Sequence, residues 1–157
     1  MNPNVGVAFL YCNYRQKEEQ HAEDLIANLF KQLATGLDHL PRPLETLYFS
    51  YLRRRPPLTT LVSVLISVAA LYKEGVLVVV DALDECQLSD KNRSRLISAL
   101  LDFHSAKGTK ANLMVTSRPG IPDIIAAFDK YPKLNILADT KTLNSTSGAT
   151  WMIWPDL

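Results

Sequence analysis

Three acids within five residues, Asp81, Asp84 and Glu85, leave one apolar run directly, and Thr116, Ser117 and Arg118 stand at the end of another. A carboxylate leaving a buried strand suits Mg²⁺, a hard ion that takes one or two carboxylates beside substrate phosphates and keeps several waters. Asp81 fits that role, and Asp84 can assist through the metal's water shell. Glu85 stands where a second carboxylate can orient or deprotonate a water attacking a terminal phosphate. Arg118 can clamp phosphate charge from the next strand. The competing reading is that a helix begins after Val80 and the acids favour its positive N-terminal end. Arg118 alone reads as a surface arginine paired with a nearby acid.

These residues need elements to hold them. Residues 76–80 are five consecutive aliphatics, four of them β-branched, and predict a strand that ends in the acids. Residues 5–11 predict a strand buried on both faces, 112–115 a third and 134–137 a last short one. Ala22, Leu25, Ile26, Leu29, Phe30 and Leu33 recur at helical spacing within a predicted helix over 16–33, and Gly36 supplies a stop.

Pro41 and Pro43 punctuate a shorter aromatic segment over 44–52. The run Arg53-Arg54-Arg55-Pro56-Pro57 then reads as a solvated turn before a helix over 59–72. Ser89 or Asp90 can cap a helix carrying Leu96, Ile97, Leu100, Leu101 and Phe103, and Pro122 suits the first turn of a short helix through Phe128. From Asp139 the chain is biased to Thr, Ser and Asn, so 139–157 is expected to be an unstructured tail. Strands alternating with helices imply parallel pairing and a three-layer α/β domain, with both polar clusters facing one crevice beyond the strands' carboxyl ends.

Composition narrows the classes. With 157 residues, 47% of them hydrophobic, the chain can bury the core of one domain. Lys plus Arg number 17 against 16 for Asp plus Glu, which gives no basic field for nucleic acid. Cys12 and Cys86 are too few for a disulfide scaffold or a four-ligand zinc site, and His21, His39 and His104 share no ligand spacing. The most apolar stretch, 61–72, is shorter than the ~20 residues a membrane span requires. No signal peptide is visible, so a cytoplasmic protein is expected.

The segment Val-Leu-Val-Val-Val-Asp-Ala-Leu-Asp-Glu-Cys over 76–86 resembles the Walker B segment of NACHT and nephrocystin-like N-terminal domains, common in fungal signalling proteins. Residues 7–14 are similar to that family's second core strand, 24–33 to the helix after it, and 113–119 to its first sensor strand. The resemblance implies a P-loop NTPase sheet and a STAND-type module whose nucleotide state governs assembly of a multidomain receptor. It further implies that Asp81, with Asp84, serves the magnesium ion of Mg-ATP. Glu85 would serve hydrolysis, and Thr116, Ser117 and Arg118 would sense the phosphate.

Two departures qualify this. The family binds nucleotide through G-x-x-x-x-G-K-[ST] after its first strand, and none of Gly6, Gly36, Gly75, Gly108, Gly120 and Gly148 is spaced for that loop or followed by Lys-Ser or Lys-Thr. Relatives also continue past the counterpart of Ala138 into further helices and often ankyrin or WD repeats. The expectation is an incomplete NACHT-like domain over 1–138, lacking first strand and phosphate loop. It binds no Mg-ATP by itself, does not hydrolyse ATP alone, and acts as an interaction fragment. The alternatives are a Mg²⁺-dependent phosphoryl-transfer enzyme, or a piece of a full-length ATP-binding receptor. With the first strand missing, the 112–115 strand is expected to expose an edge that recruits a protein partner or a second copy, unless 134–137 fills the slot.

Overall fold

Aliphatic runs and helical spacing resolve, in the computed structural model, into a sheet with helices packed against it; the residues described are 5–13, 20–86, 91–136 and 149–153. β1 (Gly6–Tyr11), β2 (Val76–Asp81) and β3 (Ala111–Ser117) are parallel, with β2 in the middle. The register pairs Tyr11 with Asp81 and Val80 with Val115, so the three strands end nearly level at their carboxyl ends. Strand alternation buries Ala8 and Leu10 of β1 and Val76, Val78 and Val80 of β2 toward the same side.

Helices cover that side. Between β1 and β2 come α1 (Ala22–Thr35), α2 (Arg42–Ser50) and α3 (Leu58–Ala69); α4 (Asn92–His104) joins β2 to β3, and α5 (Pro122–Ala127) follows β3. The six residues whose spacing predicts α1 are the ones it buries. α3 buries Leu61, Val62, Val64, Leu65, Val68 and Ala69, and α4 buries Leu96, Ile97, Leu100 and Phe103. Each such large side chain contributes about 1.5–3 kcal/mol of apolar burial. Proline opens α2 and α5 in their first turns, where a missing N–H is not missed. α1 begins at Ala22, later than the expected start at 16: Gln20 and His21 precede the helix, and 16–19 lie outside the described residues, as do Ser89 and Asp90.

Gly75, at φ +94, opens β2, and a Cβ there would stand 2.4 Å from the Lys110 carbonyl oxygen, so the close approach of the β2 and β3 entries requires glycine.

Two expectations are corrected. The described helices form one layer, not two: the sheet face carrying Val7, Phe9 and Tyr11 is open, Phe9 being 64% exposed. The reason is topological. The order β1-β2-β3 advances in one direction, so right-handed crossovers put every connecting helix on the same face.

The second correction concerns the β3 edge. β5 (Ala149–Ile153) pairs antiparallel with β3, Ser117 opposite Thr150 and Met114 opposite Ile153, and β4 (Leu134–Ile136) adds antiparallel to β5. The slot beside β3 is therefore neither open nor filled by the short strand at 134, and the tail expected to be unstructured contains a strand. Backbone donors and acceptors along β3 supply the driving force, since leaving them unpaired in a buried setting is costly.

The other edge, β1, is closed by side chains. The Gln32 amide accepts from the Phe9 N–H at 3.0 Å and donates to the Phe9 carbonyl at 2.8 Å, standing in for a neighbouring strand. Gln20 does the same one pleat further on, accepting from Asn13 N–H at 3.1 Å and donating to the Tyr11 carbonyl at 3.3 Å.

Candidate functional site

The β2–β3 register sets Asp81 beside Thr116 at the carboxyl end of the sheet. The Thr116 hydroxyl donates to Asp81 Oδ1 and accepts the Ala82 N–H at 2.8 Å. Thr116 is 5% exposed, so this hydroxyl is fully spent on fixing the end of β2. Among the described residues Asp81 Oδ2 takes no hydrogen bond, and Asp81 lies on the partly exposed, open side of its strand.

Ala82 makes the turn. Its φ of 55 and ψ of 46 are left-handed, a conformation that costs an L-residue roughly 1–2 kcal/mol and is typical of strained functional corners. A single 3-10 turn, Leu83–Glu85, follows, with Leu83 wholly buried as its anchor. The acids therefore sit on a strand-to-turn corner and not on the first turn of an α-helix, which sets aside the helix-dipole reading.

Asp84 and Arg118 form the second cross-strand unit. The Arg118 backbone N–H donates to Asp84 Oδ1 at 3.0 Å and Nε to Oδ2 at 2.5 Å. The carboxylate is 3% exposed and the guanidinium side chain 65%, so the arginine lies over a buried acid. Its hydrogen bond to Asp84, then the charges of Asp84 and Glu85, hold the guanidinium above its ordinary pKa against a small effect of burial. Each Asp84 oxygen thus accepts one hydrogen bond from Arg118.

Behind the corner stands Arg93, a side chain 6% exposed. It donates from Nε and Nη2 to Asp123 at 2.8 and 2.7 Å, and from Nη1 to the Asp84 carbonyl at 3.1 Å. Asp123 is lowered below its usual carboxylate pKa, chiefly by the hydrogen bonds from Arg93 and in spite of burial. Asn92, buried, accepts from Ala22 N–H at 2.6 Å and donates to the Gln20 carbonyl at 2.7 Å. These two residues tie α4 to α1, α5 and the acidic turn. Neither carries a spacing signal, and sequence reasoning did not find them.

Cys12, just past β1, and Cys86, just past the turn, are both buried. The hydrogen bond with Cys86, burial, and the nearby Asp84 and Asp81 push the Cys12 thiol strongly up, which keeps it protonated and unreactive. His104 bonds the Ala111 carbonyl at 2.8 Å through Nδ1, a structural tie at the opposite end of the sheet.

All six residues singled out from sequence thus meet at one corner, but in unequal positions. Asp81 and Glu85 are partly exposed, Arg118 is exposed, Asp84 is buried under Arg118, and Thr116 and Ser117 are buried, the latter's hydroxyl donating to the Arg118 carbonyl at 3.0 Å. Among the described residues no group of three or more His, Cys, Asp or Glu is placed to hold a metal ion. One carboxylate with an open oxygen is the donor set Mg²⁺ accepts when phosphate and water complete its shell.

No curated protein and no solved structure matches the chain. A family model does: nephrocystin 3, N-terminal, over residues 2–118 of the 157. The matched span runs through β1, β2 and β3 and ends at Arg118, leaving β4 and β5 outside it. On that match the chain belongs to the family of nephrocystin 3 N-terminal domains.

Proposed function

We propose that this chain carries the Walker B and sensor half of a NACHT-type P-loop NTPase signalling module of the STAND class, and that alone it neither binds nor hydrolyses ATP. The observation carrying this reading is the paired cross-strand unit: Asp81 to Thr116 and Asp84 to Arg118, side by side at the carboxyl ends of adjacent parallel strands. Ligands of open parallel sheets bind at that edge.

In this reading Asp81 offers its open oxygen to Mg²⁺, which when bound would neutralise phosphate charge. Thr116 positions Asp81, and Glu85 orients the attacking water. Arg118 senses phosphate by exchanging its carboxylate partner for a phosphoryl group, which suits the same planar fork. Asp81 carries the direct metal role, and Asp84, the resting partner of Arg118, assists through the metal's water shell once Arg118 turns to phosphate.

Crevices in such sheets form where the order of parallel strands reverses, and among the described residues the parallel strands β1-β2-β3 advance without reversal. No glycine here precedes Lys-Ser or Lys-Thr, so the loop amides and lysine that supply most phosphate contacts have no counterpart. Each such charge-assisted contact is worth about 1.5–3 kcal/mol, enough in sum to abolish micromolar affinity. We place the chain in the cytoplasm as an interaction fragment of a signalling protein, its partner another protein or a second copy. Among the described residues no helix is long and apolar enough to cross a membrane.

Isothermal titration calorimetry with Mg-ATP tests this. The expected result is no saturable heat; a micromolar dissociation constant would overturn the half-site reading.

A further inference from the structure

Two apolar surfaces of the described chain have no cover of their own. One is the open sheet face: Val7, Phe9 and Tyr11, continuing into the partly exposed Leu77, Val79 and Met114. Parallel strands are ordinarily covered on both faces, and these are covered on one. The other is α2, a helix with no buried residue, which presents Tyr48 and Phe49, stacked edge to face at 5.4 Å, and Leu52 just beyond. Phe49 is 71% exposed. Exposed apolar patches of this kind mark contact sites.

Their rims are opposite in charge. The sheet face ends at the Asp81 carboxyl group, beside the mutually paired Asp84 and Arg118, while α2 runs into Arg53 and Arg54, both exposed. Arg55 is already paired with Asp24 and adds nothing.

Geometry separates the surfaces within one molecule. α2 rests on α3, part of the helical layer covering the other side of the sheet, so no chain can lay its own α2 on its own open face. Strand addition at β1 or β3 is not the alternative, because Gln32 and Gln20 occupy the β1 edge and β5 occupies that of β3.

We propose that the protein self-associates head to tail, α2 of one copy seated on the open β1-β2-β3 face of the next, with Arg53 and Arg54 directed at Asp81. A heterologous contact of this kind does not close on itself, so the product is an open-ended series of oligomers. This inference is independent of the nucleotide reading, which can fail without affecting it.

Sedimentation velocity on the full chain, with the Phe9→Glu and Phe49→Glu variants, tests it. Both positions are solvent-exposed, so the variants should keep the wild-type circular dichroism; Tyr11→Ser and Leu52→Ser serve as a milder second pair if either does not. Wild type is expected to grow in mean mass with concentration up to about 100 μM, where a contact of micromolar affinity is saturated. Each variant alone should be monomeric. Their mixture should give a one-to-one dimer and nothing larger, because Phe9→Glu retains a working α2 and Phe49→Glu a working face. A monomeric wild type, a mixture that stays monomeric, or loss of association in only one of the two variants would each overturn the proposal.

Discussion

At the scale of single residues, the corner at Asp81 is held by groups with no other task. The Thr116 hydroxyl serves Asp81 and the Ala82 N–H together. Replacing Thr116 by Val keeps the volume and strands the amide, so Thr116→Val is expected to cost about 1–3 kcal/mol in urea unfolding. Ala82, left-handed, has the opposite expectation. Ala82→Gly relieves the strain while adding chain entropy to the unfolded state, and should be neutral or stabilising by up to about 1 kcal/mol, whereas Gly at an ordinary strand end destabilises.

Arg93 and Asp123 give the corner a pH dependence. Because the folded carboxyl of Asp123 lies below its ordinary 3.8, its contribution is present above that value and is lost as pH falls through the lower folded one. Asp123→Asn should cost about 1–2 kcal/mol at neutral pH, less than a fully buried pair because Asp123 is 35% exposed. The difference from wild type should shrink below about pH 4, which unfolding free energies measured along the pH scale would reveal. The positions of Asp81, Asp84, Glu85 and Arg118 were legible in the sequence because acids directly after a β-branched run announce a strand end. The Asp84–Arg118 pairing was legible only as a generic arginine-to-acid expectation, and the Arg93–Asp123 tie not at all, since a partner 30 positions away leaves no local pattern.

At the scale of elements, local pattern carried far and strand order did not. β1, β2, β3 and the buried stripes of α1, α3 and α4 follow from aliphatic runs and helical spacing. β5 was hidden because Ala149–Ile153 follows a polar, Thr- and Ser-rich run, and its pairing with β3 is a contact distant in sequence. That Thr, Trp and Ile within it are strong strand formers was the available signal. Removing residues 149–157 should return β3 to an open edge and produce aggregation on heating, detectable by light scattering. Gln32→Ala should unblock β1 at Phe9 and raise the same signal more weakly, since Gln20 still guards the next pleat.

At the scale of the whole molecule, one direction of winding accounts for several features together. It leaves one sheet face bare, it gives the parallel strands β1-β2-β3 no reversal of order, and it sets Asp81 and Arg118 side by side at the carboxyl ends of β2 and β3. The bare face could not be read from composition, because Val7, Phe9 and Tyr11 are apolar on the exposed side as Ala8 and Leu10 are on the buried side. A strand apolar on both faces reads as doubly buried, and here one of the two faces is exposed.

The central claim, that Asp81 is the metal carboxylate of a half-built nucleotide site, is tested most directly by Mn²⁺ titration followed through amide line broadening in NMR spectra. The account predicts weak, localised broadening at 81–85 and 116–118 that disappears in Asp81→Asn while the fold is kept. Broadening centred elsewhere, or unchanged at this corner in Asp81→Asn, would contradict it.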